Sequence, residues 1–359
     1  MTLKFRDDAA YTLVSPTSMG VRITPFDRQP VHISNSFFLQ ATSAETNVLS
    51  VSASLGKRVK ALTAFVADSP IAALIRADLR RRSIEYEGPE IQQGGPWGYR
   101  HQFNVADSGY GLRGPRVLND RAGEVGRILQ TADFDLHRLF DVEGVQILHL
   151  SGLIAALSPQ TGEFCVSLAE AAKRAGARIS FDLNYRASFW KGREQELSQV
   201  FARIAALSDI LIGNEEDFQL ALGVQGPEAG GKNLTGKIDA FRGMLENIRA
   251  SYPNASVLAT TLREVVSANE HLWGAILHAD GQWHLAEPRA IPILDRIGGG
   301  DGFVGGLLYA LSCGYSPENC LHFGWATGAM ATSVLYDYAL PQDEEEVYSV
   351  WAGNARVKR

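Results

Sequence analysis

The 359-residue sequence has little cysteine, no long apolar run and no excess of positive charge. Its three cysteines, Cys165, Cys313 and Cys320, include no C-x-x-C pair. That pattern fits neither a disulfide framework nor a zinc site. The net charge of -6 argues against the basic surface of a nucleic-acid-binding protein. No run of about 18 apolar residues is present, so we expect no membrane span.

Two common nucleotide-binding motifs are also missing. The sequence has no G-x-x-x-x-G-K-[ST] P-loop, and no G-x-G-x-x-G follows an early strand. Residues 1–10 carry charges throughout and lack the apolar segment of a signal peptide. The lack of a signal peptide and of a membrane span predicts a cytoplasmic protein that does not bind membranes. The acidic net charge predicts that it does not bind nucleic acid.

The second half of the chain alternates short apolar runs with helical patterns. Strands are predicted over residues 145–150, 178–182, 210–212 and 257–261. Helices are predicted over residues 162–175 and 194–207, from Glu215 onward, and over 237–250. This rhythm predicts a mostly parallel sheet covered by helices on both faces. A final helix is predicted to begin at Glu344–Glu346, because acidic side chains suit the positive end of a helix.

The first third of the chain has a different pattern. Residues 21–40 and 91–120 contain β-forming residues, glycines and scattered arginines, with no long helical period. We interpret both stretches as strands of a small sheet that forms a lid over an active site. The alternative interpretation is a pair of ordinary surface loops.

The most informative segment lies late in the chain, where Gly298, Gly299 and Gly300 precede Asp301 and an apolar helical pattern. Glycines allow close approach of the backbone to a ligand. The N–H groups at a helix N-terminus attract anions. A carboxylate beside such a site can accept the proton of an attacking hydroxyl during phosphoryl transfer. The alternative is that Asp301 only caps the helix.

Asp295-Arg296-Ile297-Gly298-Gly299-Gly300-Asp301 resembles the D-T-x-G-A-G-D signature of ribokinase-like (PfkB) carbohydrate kinases. Its D-R-x-G-G-G-D spelling is similar to the 2-keto-3-deoxygluconate kinase branch. Further ordered matches extend over nearly the whole chain and comprise Ala44–Val48, Leu55–Gly56, Asp120–Gly123, Phe181–Arg186 with Trp190, Asn214–Asp217 and Thr260–Glu264.

The resemblance implies one domain over residues 1–359, with a three-layer α/β/α core, a mostly parallel central sheet and a small β lid. It implies ATP as phosphoryl donor, Mg²⁺ as cofactor, and transfer to the C6 hydroxyl of 2-keto-3-deoxygluconate or a similar sugar acid. Asp301 would be the base, and Gly298 to Gly300 the anion hole. The family also leads us to expect a homo-oligomer, a dimer or higher.

The resemblance assigns further residues to three groups. The sugar-binding group is Thr42, Ser43, Asn47, Arg100, Asn119, Arg121 and Arg186. The nucleotide group is Asn214, Thr261, Arg263, Ala326 and Ala329, and Mg²⁺ would be held through water by Asn214, Glu216 and Asp217. Without the family, the arginines fit surface salt bridges and the acidic cluster fits a helix N-terminus.

The sequence departs from the family mainly at the sugar end. Thr42-Ser43 replaces Gly-Gly, Thr17-Ser18 replaces Gly-Glu, and Asn119 replaces a tyrosine; Tyr336-Asp337 replaces Gly-Asp in the last helix. Losing a buried hydrogen-bond partner costs about 1–3 kcal/mol, so such changes can alter specificity. Three hypotheses follow: a 2-keto-3-deoxygluconate kinase with a variant pocket, a kinase for another sugar, or a catalytically weak ligand-binding homologue.

Overall fold

The computed structural model describes residues 3–230 and 232–356. In chain order, strands β1 to β15 are Tyr11–Pro16, Gly20–Pro25, Phe37–Thr42, Val59–Leu62, Phe65–Val66, Glu85–Glu87, Glu90–Ile91, Gln102–Ala106, Val117–Asp120, Val145–Ser151, Arg178–Asp182, Ile210–Ile212, Val257–Ser267, Glu270–Ala279 and Gln282–Pro292. Helices α1 to α11 are Ala44–Ser54, Pro70–Arg81, Gly152–Ala155, Pro159–Arg174, Ala187–Trp190, Glu194–Leu207, Glu215–Leu222, Ile238–Ser251, Gly299–Ser312, Pro317–Ala331 and Glu344–Trp351.

Nine strands form the central sheet, in the order β15-β14-β13-β12-β11-β10-β1-β4-β6. The seven strands from β13 to β6 run parallel to one another. The predicted mostly parallel sheet is thereby confirmed. Strands β11 and β12 and helix α6 have the predicted bounds, and helices α7 and α11 begin where predicted.

One edge of the sheet differs from the prediction. Strand β13 continues to Ser267, beyond the predicted end at Thr261, because residues 262–267 pair antiparallel with β14. Strand β15 then pairs antiparallel with β14. The exposed Val265 and Val266 at the end of β13 break the apolar periodicity from which a buried strand is predicted.

Two hydrophobic clusters lie on opposite faces of the central sheet. Leu211 of β12 belongs to one cluster, and its neighbours Ile210 and Ile212 belong to the other, because successive strand side chains point to opposite faces. Helices α4, α6 and α8 contribute to the first cluster, and α1, α9 and α10 to the second. The cysteines are unpaired thiols, as expected.

A separate four-stranded sheet has the order β3-β2-β8-β9. Its strands lie in or next to the stretches 21–40 and 91–120. One face carries Arg22, Thr42, Gln102, Asn104 and Asn119, which line a cavity. The opposite face carries a row of paired apolar residues: Leu39, Ile23, Val105 and Leu118. This sheet therefore has a polar inner face and an apolar outer face.

Within residues 3–230 and 232–356, none of the helices combines the length and the hydrophobicity needed to cross a bilayer.

Candidate active site

A cavity of about 810 Å³ lies between the smaller sheet and the carboxyl edge of the central sheet. Ligands bind outside the carboxyl ends of strands in open α/β sheets, where the connecting loops converge. Strand β11 ends at Asp182, and Asn214 follows the end of β12; both residues line the cavity. The parallel topology therefore brings distant sequence motifs to one edge.

The N-terminus of α9 opens onto this cavity. Gly298 is its N-cap residue, with a φ angle of 86°, and no side chain caps the helix. The first helical hydrogen bond runs from Gly302 N to Gly298 O at 2.8 Å. Gly299 N donates to Arg296 O at 3.5 Å, whereas the N–H groups of Gly300 and Asp301 precede the first helical hydrogen bond and lack intrahelical acceptors. Together with the helix dipole they form a site suited to an anion.

Asp301 lies at the third position of α9, not at the N-cap, which excludes the interpretation that it caps the helix. Its Oδ2 accepts a hydrogen bond of 2.8 Å from Asn47 Nδ2 on α1. The two helices pack closely, because a Cβ on Gly305 would lie 2.7 Å from the carbonyl oxygen of Val48. The hydrogen bond from Asn47 and the close packing of α1 on α9 together hold the Asp301 carboxylate at the N-terminus of α9.

The pKa of Asp301 is raised to about 7, chiefly by burial. The nearby carboxylates of Asp337 and Glu45 also raise it, and the hydrogen bond from Asn47 opposes the increase. Burial also raises the pKa of Asp182, with Asp217 and Asp301 contributing. A carboxylate with a pKa near neutrality is matched to proton transfer at physiological pH.

The predicted metal-binding cluster is built as a helix cap. Asn214 is the N-cap of α7, and its Oδ1 accepts from Asp217 N at 2.9 Å. The Asp217 carboxylate accepts from the backbone N–H groups of Asn214 and Tyr185, each at 2.8 Å. Glu216 is exposed at the cavity wall. The described part of the chain contains no group of three His, Cys, Asp or Glu residues arranged to hold a metal ion.

Three arginines line the cavity without an ion-pair partner among the described residues, Arg186, Arg263 and Arg296. The pKa of Arg296 is lowered to about 10, chiefly by burial, and the nearby guanidinium groups of Arg263 and Arg186 contribute to the decrease. Guanidinium groups that form no ion pair and share one cavity are suited to an anionic ligand, because the guanidinium fork matches carboxylate and phosphate oxygens. A fourth arginine in the cavity, Arg121, donates to Glu124 at 2.6 Å.

The hydroxyl groups of Thr42-Ser43 and Thr17-Ser18, which stand where the resemblance implies Gly-Gly and Gly-Glu, are bonded within the protein. Thr42 donates to Asp337 at 2.7 Å, and Ser43 caps α1 by accepting from Thr46 N at 3.1 Å. Thr17 donates to Glu45 at 2.7 Å, and Ser18 donates to Glu124 at 2.6 Å. Each of these four hydroxyl groups therefore has a hydrogen-bond partner within the protein.

Most predicted site residues lie together in this cavity: Thr42, Ser43, Asn47, Asn119, Arg121, Arg186, Asn214, Glu216, Asp217, Thr261, Arg263, Gly298, Gly300 and Asp301. Four others are not among the described residues that line it. Arg100 is held by Asp120 and by the carbonyl oxygen of Ala122. Gly299 is buried against Thr332, and Ala326 and Ala329 lie on α10, in or against the core.

The residue patterns did not predict several polar residues of the cavity: Arg22, Glu45, Gln102, Asn104, Asp182 and Arg296. Asp182 and Arg296 belong to segments that match family motifs. Asp182 ends strand β11 and Arg296 shortly precedes helix α9, and these positions could have indicated that both residues face the cavity. Arg22, Gln102 and Asn104 belong to strands in which polar residues alternate with apolar ones. That alternation identifies a polar face but gives no indication of what the face covers.

A family model described as pfkB family carbohydrate kinase matches residues 41–343. The chain belongs to the pfkB family of carbohydrate kinases. The kinase is 26% identical over 344 residues to a 2-dehydro-3-deoxygalactonokinase of Haloferax volcanii, with 94% of this chain and 96% of that protein covered. A 5-dehydro-2-deoxygluconokinase of Clostridium tetani is 29% identical over 205 residues, 57% of this chain and 55% of that protein.

Solved structures share the fold of this kinase. The crystal structure of the 2-dehydro-3-deoxygluconokinase of Thermotoga maritima superimposes with a TM-score of 0.85 at 25% identity, covering 96% of this chain and 99% of that one. An Escherichia coli protein described as a candidate ribokinase II, solved in complex with ATP and Mg²⁺, superimposes with a TM-score of 0.76 at 14% identity, covering 96% and 100%. The expected ribokinase-like fold is confirmed.

The raised pKa of Asp301 predicts that the unmodified kinase and the variant Asp301→Asn differ in thermal stability by an amount that depends on pH. Because its pKa moves from 3.8 to about 7 on folding, the folded chain holds this proton more tightly than the unfolded chain. The stability of the unmodified kinase should therefore fall as pH rises from about 4 to about 7. Asp301→Asn removes this contribution, so its melting temperature should exceed that of the unmodified kinase at pH 8 and nearly equal it at pH 4.

Thermal unfolding at both pH values, followed by circular dichroism, measures this difference. Asp239→Asn is the matched control, because that carboxylate is 97% exposed on α8. An equal effect of Asp301→Asn at pH 4 and pH 8 would contradict the assigned shift.

Proposed function

We propose that this kinase transfers the γ-phosphoryl group of ATP to the C6 hydroxyl of 2-keto-3-deoxygluconate or a similar keto-deoxy sugar acid. The observation that carries the proposal is the position of Asp301, hydrogen-bonded to Asn47 and adjacent to the uncapped N-terminus of α9. A base and an anion site thus lie side by side in one cavity. Phosphoryl transfer needs this combination of positioning, charge stabilisation and proton acceptance.

In the proposed reaction the substrate hydroxyl oxygen attacks the γ-phosphorus while Asp301 accepts the hydroxyl proton. The bond between the γ-phosphorus and the oxygen bridging to the β-phosphate breaks, and ADP leaves with that oxygen. The N–H groups of Gly300 and Asp301, which line the cavity, stabilise negative charge on the transferred group, and Gly298 and Gly299 shape the backbone that presents them. We retain the glycine segment as the anion hole and add the N–H of Asp301 to it.

Thr261 and Arg263 line the cavity beyond α9 and are proposed to bind the nucleotide, with Ala326 and Ala329 supporting the adenine site from α10. Asn214, Glu216 and Asp217 are proposed to hold a magnesium ion through water, since all three line the cavity and the Glu216 side chain is exposed there. Mg²⁺ keeps several waters and uses few protein carboxylates when it binds with phosphates. Glu216 and Asp217 would hold those waters, and the ion would supply charge neutralisation on the phosphates.

Two features of the cavity support a hydroxylated, acidic acceptor. The buried side-chain oxygens of Asn47, Gln102 and Asn104 have no hydrogen-bond partner among the described residues. Buried acceptors left unpaired are costly, so a ligand that donates hydroxyl groups satisfies them. Arg121 and Arg186 supply positive charge for the carboxylate. The names of the Haloferax and Thermotoga relatives indicate substrates of this class.

A coupled assay of ADP release tests the reaction. With Mg-ATP, we expect turnover with 2-keto-3-deoxygluconate, the galactonate epimer or 5-keto-2-deoxygluconate, and much less with gluconate, fructose or ribose. Asp301→Asn should lower kcat by about 10²- to 10⁴-fold, because general base catalysis contributes that much. Asp239→Asn, on the exposed face of α8, should retain full activity.

The outcomes of this assay separate the three hypotheses. Turnover only with a neutral sugar would keep the kinase and discard the acidic substrate. ATP binding without turnover on any compound would favour a ligand-binding homologue.

The substrate carboxylate gives a second prediction. Arg186→Gln should lower kcat/KM for the sugar acid by about 10- to 100-fold, because a hydrogen bond to a charged group contributes about 1.5–3 kcal/mol. For fructose, kcat/KM should change by less than threefold. Equal losses on acidic and neutral sugars would show that Arg186 acts elsewhere, for example on the phosphates of ATP.

We also propose that residues of about 21–40 and 91–120 form a lid subdomain of a single kinase domain, and that the outer face of the lid pairs with a second copy. Leu39 and Leu118 on that face are 50% and 64% exposed. A contiguous apolar sheet face left in water favours association. Arg100, at the edge of the lid, is proposed to contact substrate only if closure moves it inward from Asp120.

The double variant Leu39→Lys, Leu118→Lys should therefore be monomeric when the unmodified kinase is a dimer or larger, because lysine disfavours the apolar contact. Light scattering after size exclusion measures the mass. Val142→Lys is the control, since Val142 is 70% exposed and lies outside the lid. A monomeric unmodified kinase would contradict the proposal.

A further inference from the structure

Arg22 links the lid to the phosphate-binding end of the site through two buried ion pairs. Its side chain is 1% exposed, and it lies on lid strand β2. Nη2 donates to Asp295 Oδ2 at 2.5 Å, and Nη1 donates to Asp337 Oδ1. Asp295 and Asp337 are also buried. A guanidinium group is suited to this position because its rigid fork serves two carboxylates at once.

The Asp295 side chain stabilises the backbone turn that precedes the glycine segment Gly298–Gly300. Its Oδ1 accepts from Ile297 N at 3.0 Å, which turns the backbone just before Gly298. Its Oδ2 accepts from both Arg22 and Ser108, the latter at 2.7 Å. The carboxylate that shapes the turn is therefore itself held by Arg22.

Asp337 supports the other side of the same segment. A Cβ on Gly298 would lie 1.9 Å from the carbonyl oxygen of Asp337, so the two backbones are in direct contact. The Asp337 carboxylate accepts from Gln40 at 3.0 Å and from Thr42 at 2.7 Å, in addition to Arg22. Both flanks of the N-cap of α9 are consequently fixed by carboxylates that share one guanidinium group.

We propose that Arg22 is a positioning residue, which aligns the N-terminus of α9 and Asp301 with the acceptor hydroxyl by holding Asp295 and Asp337. The inference rests on the proposed phosphoryl transfer at α9. Arg22 itself does not touch the reacting atoms. Removing it leaves two buried carboxylates without their shared cation, and such sites relax or take up water. A displacement of about 1 Å near reacting groups can cost about 100-fold in rate.

The test compares Arg22→Met with Lys60→Met. Lys60 is a matched control, because it is also a buried cation between two carboxylates, Glu87 and Glu143, and it does not line the cavity. Both variants should lose thermal stability. Only Arg22→Met should lower kcat, by about 100-fold, with the KM of the sugar changed less than threefold. Arg22→Lys should recover part of the rate, because an ammonium group restores the charge without the fork.

A second measurement does not depend on catalysis. Hydrogen exchange of a peptide spanning residues 296–303 should be faster in Arg22→Met than in the unmodified kinase, and unchanged in Lys60→Met. If Arg22→Met does not fold, Asp337→Asn takes its place in both measurements, with the same loss of kcat and faster exchange expected. Unchanged exchange in the variant, or a kcat within threefold of that of the unmodified kinase, would overturn the inference.

The exchange result also separates this inference from the proposed substrate. If the unmodified kinase phosphorylates none of the sugars tested, the proposed substrate is wrong, while faster exchange in Arg22→Met still supports the positioning role. If the sugars are phosphorylated and exchange is unchanged, the positioning role is wrong and the substrate assignment stands.

Discussion

The close contact between Gly298 and the backbone of Asp337 is the constraint on which the site depends. Gly298 has a φ angle of 86°, and a Cβ there would lie 1.9 Å from the Asp337 carbonyl oxygen. Only glycine satisfies both conditions at low cost. The contact fixes where α9 begins, and the start of α9 decides which N–H groups remain free and where the Asp301 carboxylate lies. The proposed anion site and the proposed base therefore both depend on the contact between the backbones of Gly298 and Asp337.

The two ends of the cavity are built by different means. The proposed phosphate end uses backbone N–H groups and helix caps, whose geometry follows from local chain conformation: Gly298 before α9, and Asn214 with Asp217 before α7. The proposed sugar end uses side chains from the smaller sheet and from α1. These side chains bond to partners far apart in the sequence, as Thr42 does to Asp337.

The sequence predicts the parts of this protein that rest on local periodicity. Strands β11 and β12 and helix α6 have the predicted bounds because their buried positions repeat with the strand or helix period. The glycines before Asp301 are also a local signal, and they predict the helix N-terminus that the structure places at the cavity. Contacts between distant segments were not predictable: Arg22 and Asp337 are 315 residues apart, and nothing near either residue indicates the other. Arg100 shows the converse: the family resemblance assigned it to the sugar-binding group, but its side chain pairs with Asp120 and is not among the residues that line the cavity.

Strand β2 shows how one short segment can serve two surfaces. Ile23 points to the apolar outer row with Leu39 and Val105, and its neighbour Arg22 points inward to the carboxylates that hold α9. A shift of one residue in the pairing of β2 would exchange these faces, since strand side chains alternate. It would expose the guanidinium group and bury isoleucine among carboxylates. The pairing of β2 therefore sets both the register of the smaller sheet and the inward position of Arg22.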